Sequence, residues 1–179
     1  MDEIVKQALI KWPNVPHVHG WLGLDARGQW WLRDAGVQAQ GPFPHSKGTL
    51  VEHEKLLAFI GRNYEADAQG QWFFQNGPQR VYVELENTPM VWRVDAQGGV
   101  CSHTGVPQAQ AQVQDCWMDD EGRVYLRCAG VLGVVHSQDM VHVADVVEQG
   151  HWHPQPLAWD ALPQRFQFVR SPQRAAAQA

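Results

Sequence analysis

The sequence predicts an α+β domain built mainly from antiparallel hairpins in a meander, with about three helices near residues 2–12, 49–63 and 139–149. The main observation is the phrase Asp-x-x-Gly, which occurs four times and is each time followed by apolar or aromatic residues. The four copies occupy residues 25–28, 67–70, 95–98 and 119–122. In a tight turn the Asp side chain bonds to the local backbone, and Gly adopts the positive φ that a hairpin corner requires.

Each helix is predicted from apolar residues at helical spacing and from its end signals. In the first, Asp2 can cap the initial turn, and Pro13 ends the helix. The second is predicted to begin at the capping box of residues 49–52, which starts with Thr and ends with Glu. The third follows Asp139 as its cap, and Gly150 is placed to terminate it.

Strands are predicted where the hydrophobic period changes to two. Residues 80–86 alternate apolar with polar side chains, which is typical of a half-buried strand. Short strand segments flank the Asp-x-x-Gly turns, and Asn76-Gly77 predicts one further hairpin. We expect a loop over residues 35–48 and a final strand over residues 165–169.

The length of 179 residues is that of a single domain. We expect one globular domain over residues 1–170, containing two related hairpin layers at about 17–86 and 87–136. Residues 171–179 are predicted to be a flexible tail. The turns at 25–28 and 67–70 are followed by the most similar sequences, which is consistent with an old duplication.

Composition argues against several classes of partner. The net charge is −5 with His counted as neutral, and no basic run is present, so we expect neither a nucleic-acid surface nor binding to an anionic membrane. No apolar run approaches the ~18 residues of a transmembrane helix, and the N-terminal residues lack a signal-peptide pattern. Three cysteines, Cys101, Cys116 and Cys128, do not form a disulfide framework, so we expect a cytoplasmic protein.

Two parts of the sequence are similar to a known family. The first comprises residues 2–8, 11–16 and 20–25, and the second comprises residues 72–83. Together they resemble a family of small proteobacterial proteins that carry a domain of unknown function. The resemblance covers most of the chain and implies a soluble bacterial protein. It supplies no activity, substrate or catalytic residue.

Aromatic side chains are concentrated in the predicted hairpins. The adjacent pairs Trp30-Trp31 and Phe73-Phe74 must point to opposite faces of a strand, so that one ring fills the core. The other ring packs in a second layer or meets a partner or ligand. We therefore predict an aromatic-lined binding surface. Its candidate ligand-binding residues are Trp30, Trp31, Trp72, Phe73, Phe74, Tyr82 and Trp92.

Two His-x-His pairs provide the alternative function. His17 with His19, and His151 with His153, would each present two imidazoles on one side of a strand. If the two pairs converge, their four nitrogens would suit zinc. Against this prediction, nine histidines in a chain of this length make close spacings common, and proline flanks both pairs.

The sequence contains no established catalytic motif. It lacks a phosphate-binding Gly loop, G-x-S-x-G and H-E-x-x-H. Cys101 and His103 have no evident orienting partner, and Glu84 with Glu86 are expected on the wet face of a strand. The leading prediction is a non-enzymatic cytosolic binding module without a cofactor. Its partner would be a protein, a small molecule or a second copy of the chain. The alternative is a metal-binding protein or metal-dependent enzyme that uses the two His pairs.

Overall fold

The computed structural model describes residues 1–105 and 112–178, and the chain divides into two compact units. Unit 1 comprises Met1–Asp25, Gln29–Glu86 and Phe168–Ala179, and unit 2 comprises Ala26–Gly28 and Asn87–Gln167. Each unit contains one mostly antiparallel sheet of six strands with helices packed beside it. The predicted α+β class is therefore confirmed. The prediction of one domain over residues 1–170 stays a prediction.

The helices of the described residues vary from five to nine residues in length. In chain order they are α1 (Glu3–Lys11), α2 (Ala35–Gln40), α3 (Glu54–Arg62), α4 (Met140–Glu148), α5 (Leu162–Phe166) and α6 (Pro172–Ala177). Short 3₁₀ turns at Ser137–Asp139 and Trp159–Ala161 precede α4 and α5. No helix in residues 1–105 and 112–178 is long and apolar enough to cross a membrane.

The sheet of unit 1 has the strand order β3-β2-β1-β6-β5-β4. Its strands are β1 (Val18–Leu24), β2 (Trp30–Leu32), β3 (Thr49–Leu50), β4 (Tyr64–Ala66), β5 (Trp72–Asn76) and β6 (Gln79–Leu85). Strands β1 and β6 pair in parallel, and the other neighbours are antiparallel.

The sheet of unit 2 has the strand order β12-β9-β10-β11-β7-β8. Its strands are β7 (Met90–Val94), β8 (Val100–Ser102), β9 (Val113–Met118), β10 (Val124–Cys128), β11 (Val131–Val135) and β12 (Gln155–Pro156). Two pairs, β7 with β11 and β9 with β12, are parallel, and the others are antiparallel.

All four Asp-x-x-Gly phrases form the predicted turn. In each, one carboxylate oxygen of the Asp accepts a bond from the backbone N–H four residues later, at 2.8 to 2.9 Å. The Asp N–H in turn donates to the carbonyl oxygen of that later residue. The glycines, which are Gly28, Gly70, Gly98 and Gly122, have φ between +74° and +77°. Each turn therefore closes a pair of strands in one fixed register.

Five strands of one unit have the same topology as five strands of the other. The orders β2-β1-β6-β5-β4 and β8-β7-β11-β10-β9 both join a hairpin in parallel to the last strand of a three-stranded meander. The registers also coincide. Leu24 pairs with Trp30 in unit 1, and Val94 pairs with Val100 in unit 2. In both hairpins the Asp of the turn directly follows the first residue of the pair. The two units are therefore structural repeats.

The turns that are equivalent in the two repeats are not the turns that are most similar in sequence. Asp25 corresponds to Asp95, and Asp67 corresponds to Asp119, because each pair connects equivalent strands. The first two copies resemble each other in sequence although they begin different hairpins of one unit. Their likeness reflects the shared turn type.

The predicted helices near residues 2–12 and 139–149 are present as α1 and α4. Gly150 has φ +76° directly after the last cap residue of α4, as a terminating glycine should. The Asp139 side chain does not cap α4. It instead accepts bonds from the Arg93 guanidinium and from the Val94 N–H, which fastens the helix start to β7.

The predicted second helix begins later than its capping box. Residues 49–50 form β3, because their backbone pairs with β2, and α3 starts after His53. The His53 side chain caps α3 by accepting a bond from Leu56 N, a role that the sequence predicted for Thr49. The loop predicted over residues 35–48 contains α2, whose first turn is capped by Asp34.

Two further differences lie near the C-terminus. The strand predicted over residues 165–169 is absent from the described structure, since α5 runs to Phe166 and Gln167 then takes a left-handed φ of +53°. Only Val169 forms a single bridge, to Gln71. The segment predicted to be a flexible tail contains the helix α6, whose first turn is capped by the Ser171 hydroxyl.

The Asp-x-x-Gly turns should tolerate substitution poorly at glycine. We expect Gly70→Val to lower the free energy of unfolding by about 1 kcal/mol or more, because a branched side chain is strained at a φ of +74°. Urea unfolding of the variant measures this loss. The control is Ala68→Val in the same exposed turn, which should change stability much less. Equal effects of the two substitutions would show that the glycine conformation is not the cause.

Candidate functional site

The predicted aromatic surface is largely interior. Of the seven candidate residues, Trp30, Trp72, Phe73, Phe74, Tyr82 and Trp92 are buried, and Trp31 is half-buried. The two rings of each adjacent pair do face opposite sides of the sheet of unit 1, but both sides are covered. The sequence shows the alternation of faces and does not show which elements cover them. Whether these residues contact a ligand stays a prediction.

One face of the unit 1 sheet carries an aromatic cluster. The ring of Tyr64 lies 5.0 Å from Trp30 and 4.8 Å from Trp72, measured between ring centroids. Phe59 of α3 meets Phe74 edge-on at 5.4 Å. Such edge and tilted contacts stabilise a core beyond simple burial of area.

Beside this cluster, the same unit has an open apolar cleft of about 490 Å³, which we call the unit 1 cleft. Its sheet residues are Val18, Trp21, Leu22, Leu32, Phe74 and Val81, its helix residues are Leu56 and Ile60 of α3, and its polar lining is Arg33, Asp34 and Asn76. The volume is in the range of small-molecule pockets, which are mostly apolar with a few polar groups. Phe74 is the member of the predicted set that lines it.

Trp21 and Leu32 are large apolar side chains that are about half exposed. Their exposed fractions are 47% and 48%, although both line the cleft. The cause at Trp21 is an irregularity in β1, where the register with β6 shifts between Val18 and Leu22 and Gly20 has φ +77°. Such a bulge redirects the neighbouring side chain. A regular alternation pattern does not reveal the bulge, so the predicted ligand-binding set omitted Trp21. The set omitted Leu32 because it contained only aromatic residues.

Arg33 holds the backbone around this irregularity. Its guanidinium donates to the carbonyl oxygens of Gly20, Gly41 and Ser46 at 3.1, 2.7 and 2.9 Å. Burial lowers the pKa of this guanidinium from its ordinary value. The carbonyls satisfy much of its donor capacity, and we assign Arg33 a structural role.

The two His pairs belong to different units. In unit 1, the His19 ring stacks on Tyr82 at 4.6 Å and 3°, and His17 meets the same ring edge-on at 5.9 Å. Burial, and then the neighbouring charge of His17, lower the pKa of His19. In unit 2, His151 and His153 line a small cavity of about 190 Å³.

No group of three or more His, Cys, Asp or Glu side chains in residues 1–105 and 112–178 is arranged to hold a metal ion. Convergence of His17, His19, His151 and His153 on zinc stays a prediction.

Glu84 does not lie on a wet strand face, contrary to expectation. It is buried and accepts bonds from Ser171 Oγ at 2.5 Å and from the Gln173 N–H at 2.9 Å, which anchors the start of α6. Burial raises the pKa of this carboxyl, and the two bonds oppose the rise. Glu86 forms an ion pair with Lys47 at 3.1 Å. Both carboxylates therefore have structural partners.

The cysteines show no sign of an activated thiol. Cys116 and Cys128 are buried, and burial raises the pKa of each thiol to about 12. Cys101 is exposed, but Nδ1 of the nearby His103 accepts a bond from the Val91 N–H at 3.2 Å. That bond extends the pairing of β7 with β8.

The family model described as a protein of unknown function (DUF2946) matches residues 1–173. The chain belongs to this family. The resemblance to a family of proteins that carry a domain of unknown function is thus confirmed. No curated protein matches the DUF2946 chain.

Two solved structures are similar to the DUF2946 chain, and both are DUF1285 family proteins. The one from Silicibacter pomeroyi DSS-3 has 13% identity and a TM-score of 0.48, over 74% of this chain and 73% of that chain. The one from Shewanella baltica OS155 has 14% identity and a TM-score of 0.48, over 70% of this chain and 91% of that chain.

The buried Glu84 carboxyl should make stability depend on pH. Its folded pKa is above the ordinary value of 4.5, so the native state binds a proton more tightly than the unfolded chain does. Relative to Glu84→Gln, the wild type should gain unfolding free energy as pH falls through the folded pKa toward 4.5.

Urea unfolding of both proteins between about pH 7 and about pH 4 measures this difference, in which all other carboxylates cancel. A difference that is constant with pH, or that falls on acidification, would contradict the assignment.

Proposed function

We propose that this DUF2946 protein is a non-enzymatic cytosolic binding module that holds a small apolar ligand in the unit 1 cleft. The observation that carries the proposal is the convergence of two half-exposed apolar side chains, Trp21 and Leu32, on a floor of Leu22, Phe74 and Val81. Scattered exposed apolar residues are ordinary on protein surfaces, whereas a concave group of them is characteristic of a binding site.

The energetics favour an apolar occupant. Each Å² of apolar surface that a ligand covers contributes roughly 25 cal/mol, before the cost of association is subtracted. The floor and the α3 wall, which includes Leu56 and Ile60, present no polar side chain that would have to lose water. A charged ligand would gain little there, because an unpaired charge is costly to bury.

The cleft lining also supports a non-catalytic role. Arg33 is bonded to three backbone carbonyls, and the Asp34 carboxylate accepts the Val37 N–H that begins α2. Asn76 supplies an amide, which is neither an acid nor a base at neutral pH. The lining therefore supplies no evident nucleophile, general acid or general base.

Removing the exposed apolar side chains should weaken ligand binding and leave the fold intact. With the neutral dye Nile red as probe, we expect Trp21→Ser and Leu32→Ser each to lower affinity about tenfold, which corresponds to about 1.4 kcal/mol. Fluorescence titration measures the affinity, and thermal unfolding checks the fold.

The matched control is Val141→Ser on α4, a residue that is 60% exposed and outside the cleft lining. Equal dye binding by all three variants and the wild type would contradict the proposal. If the cleft variants instead change only the sedimentation coefficient, the cleft is an interface between copies of the chain.

A further inference from the structure

The two repeats differ at the position of the unit 1 cleft. Register relates Leu22, whose partner is Val83, to Trp92, whose partner is Val135. In the same way, the pair of Phe74 and Val81 corresponds to the pair of Leu126 and Gly133. The cleft floor of Leu22, Val81 and Phe74 is therefore equivalent to Trp92, Gly133 and Leu126 in unit 2.

In unit 2 a ring from the chain itself fills this position. The Trp92 side chain is fully buried, and its Nε1–H donates to the carbonyl oxygen of Leu126 at 2.9 Å. A Cβ placed on Gly133 would collide with the indole, so the ring crosses the strand β11 where glycine leaves it bare. Unit 2 thus holds a planar aromatic group against the equivalent face of its sheet.

The residues of unit 1 that are equivalent to Trp92 and Gly133 supply no such ring. Leu22 is shorter than tryptophan, and Val81 has a side chain where Gly133 has none, so neither residue extends an aromatic group over the floor. Phe74 instead contributes an aromatic ring to the lining, and Trp21 contributes a half-exposed indole at the edge. Aromatic rings attract one another in offset and edge arrangements beyond the effect of buried area.

We infer that the unit 1 cleft takes a planar aromatic small molecule of about the size of indole, in the place that Trp92 occupies in unit 2. This inference rests on the proposed function. Because Val81 covers the strand, the ligand rests on the side chains of Val81 and Phe74 and does not reach a backbone carbonyl. Recognition therefore depends on flat shape and apolar contact, without a required hydrogen-bond donor.

The test compares two molecules that share one skeleton and one hydroxyl group, planar 2-naphthol and saturated decahydro-2-naphthol. By isothermal titration calorimetry we expect the wild type to bind 2-naphthol about tenfold more tightly, the order of gain that aromatic contacts provide. Equal or tighter binding of the saturated molecule would overturn the ligand class and leave the proposed function intact. If Nile red binds and neither naphthol does, the ligand class is likewise overturned and the proposed function stands. Failure of all three probes would overturn both.

A double substitution reproduces the unit 2 arrangement in unit 1. We expect Leu22→Trp with Val81→Gly to place an indole over the cleft floor and to lower 2-naphthol affinity at least about tenfold. The control is Val141→Trp, which adds an indole at an exposed position outside the cleft lining and should retain binding. Wild-type affinity in the folded double variant would overturn the inference. If the double variant does not fold, the comparison of the two naphthols in the wild type still decides.

Discussion

Both sheets depend on the hydrogen bonds that the Asp carboxylate accepts in each Asp-x-x-Gly turn. One oxygen closes the turn by accepting the N–H four residues later. In three turns the second oxygen also accepts a bond from a side chain in the strands: Trp31 Nε1–H at Asp25, the Tyr82 hydroxyl at Asp67 and the Tyr125 hydroxyl at Asp119. In these three turns the same carboxylate therefore sets the strand register and fixes an aromatic side chain by a hydrogen bond. A slip of one residue would reverse every face.

Because the register is fixed, the two repeats have the same arrangement of strands and differ in the side chains that pack on it. The position of Leu22 in unit 1 is the position of Trp92 in unit 2, and Val81 corresponds to Gly133. A glycine beside a tryptophan gives a filled, hydrogen-bonded core in unit 2. Two aliphatic residues at the same places leave a cleft in unit 1. The proposed binding site thus depends on side-chain choice within one repeated arrangement of strands.

Local chemistry predicted much of this fold. The four turns depend only on Asp and Gly within one short segment, and α1 and α4 show a clear helical period, so the sequence contains their determinants. The burial of the aromatic rings depends on pairing between strands that is not determined by local sequence. Phe73 is buried beside Tyr82 only because β5 and β6 pair in the observed register, and Trp21 is exposed only because β1 is irregular at Gly20. Neither fact has a local signal, and the candidate site therefore differs from the predicted aromatic surface.

Occupancy of the unit 1 cleft by a planar aromatic probe is measured most directly by intermolecular nuclear Overhauser effects between the probe and the methyl groups of the protein. With 2-naphthol, we expect contacts from the ring protons to the methyls of Leu22, Leu56, Ile60 and Val81, which line the unit 1 cleft. The methyls of Val134 and Val135, beside the filled position in unit 2, should show none, because neither residue lines the unit 1 cleft. Contacts to those unit 2 methyls, or none to the cleft methyls at saturating probe, would contradict this occupancy.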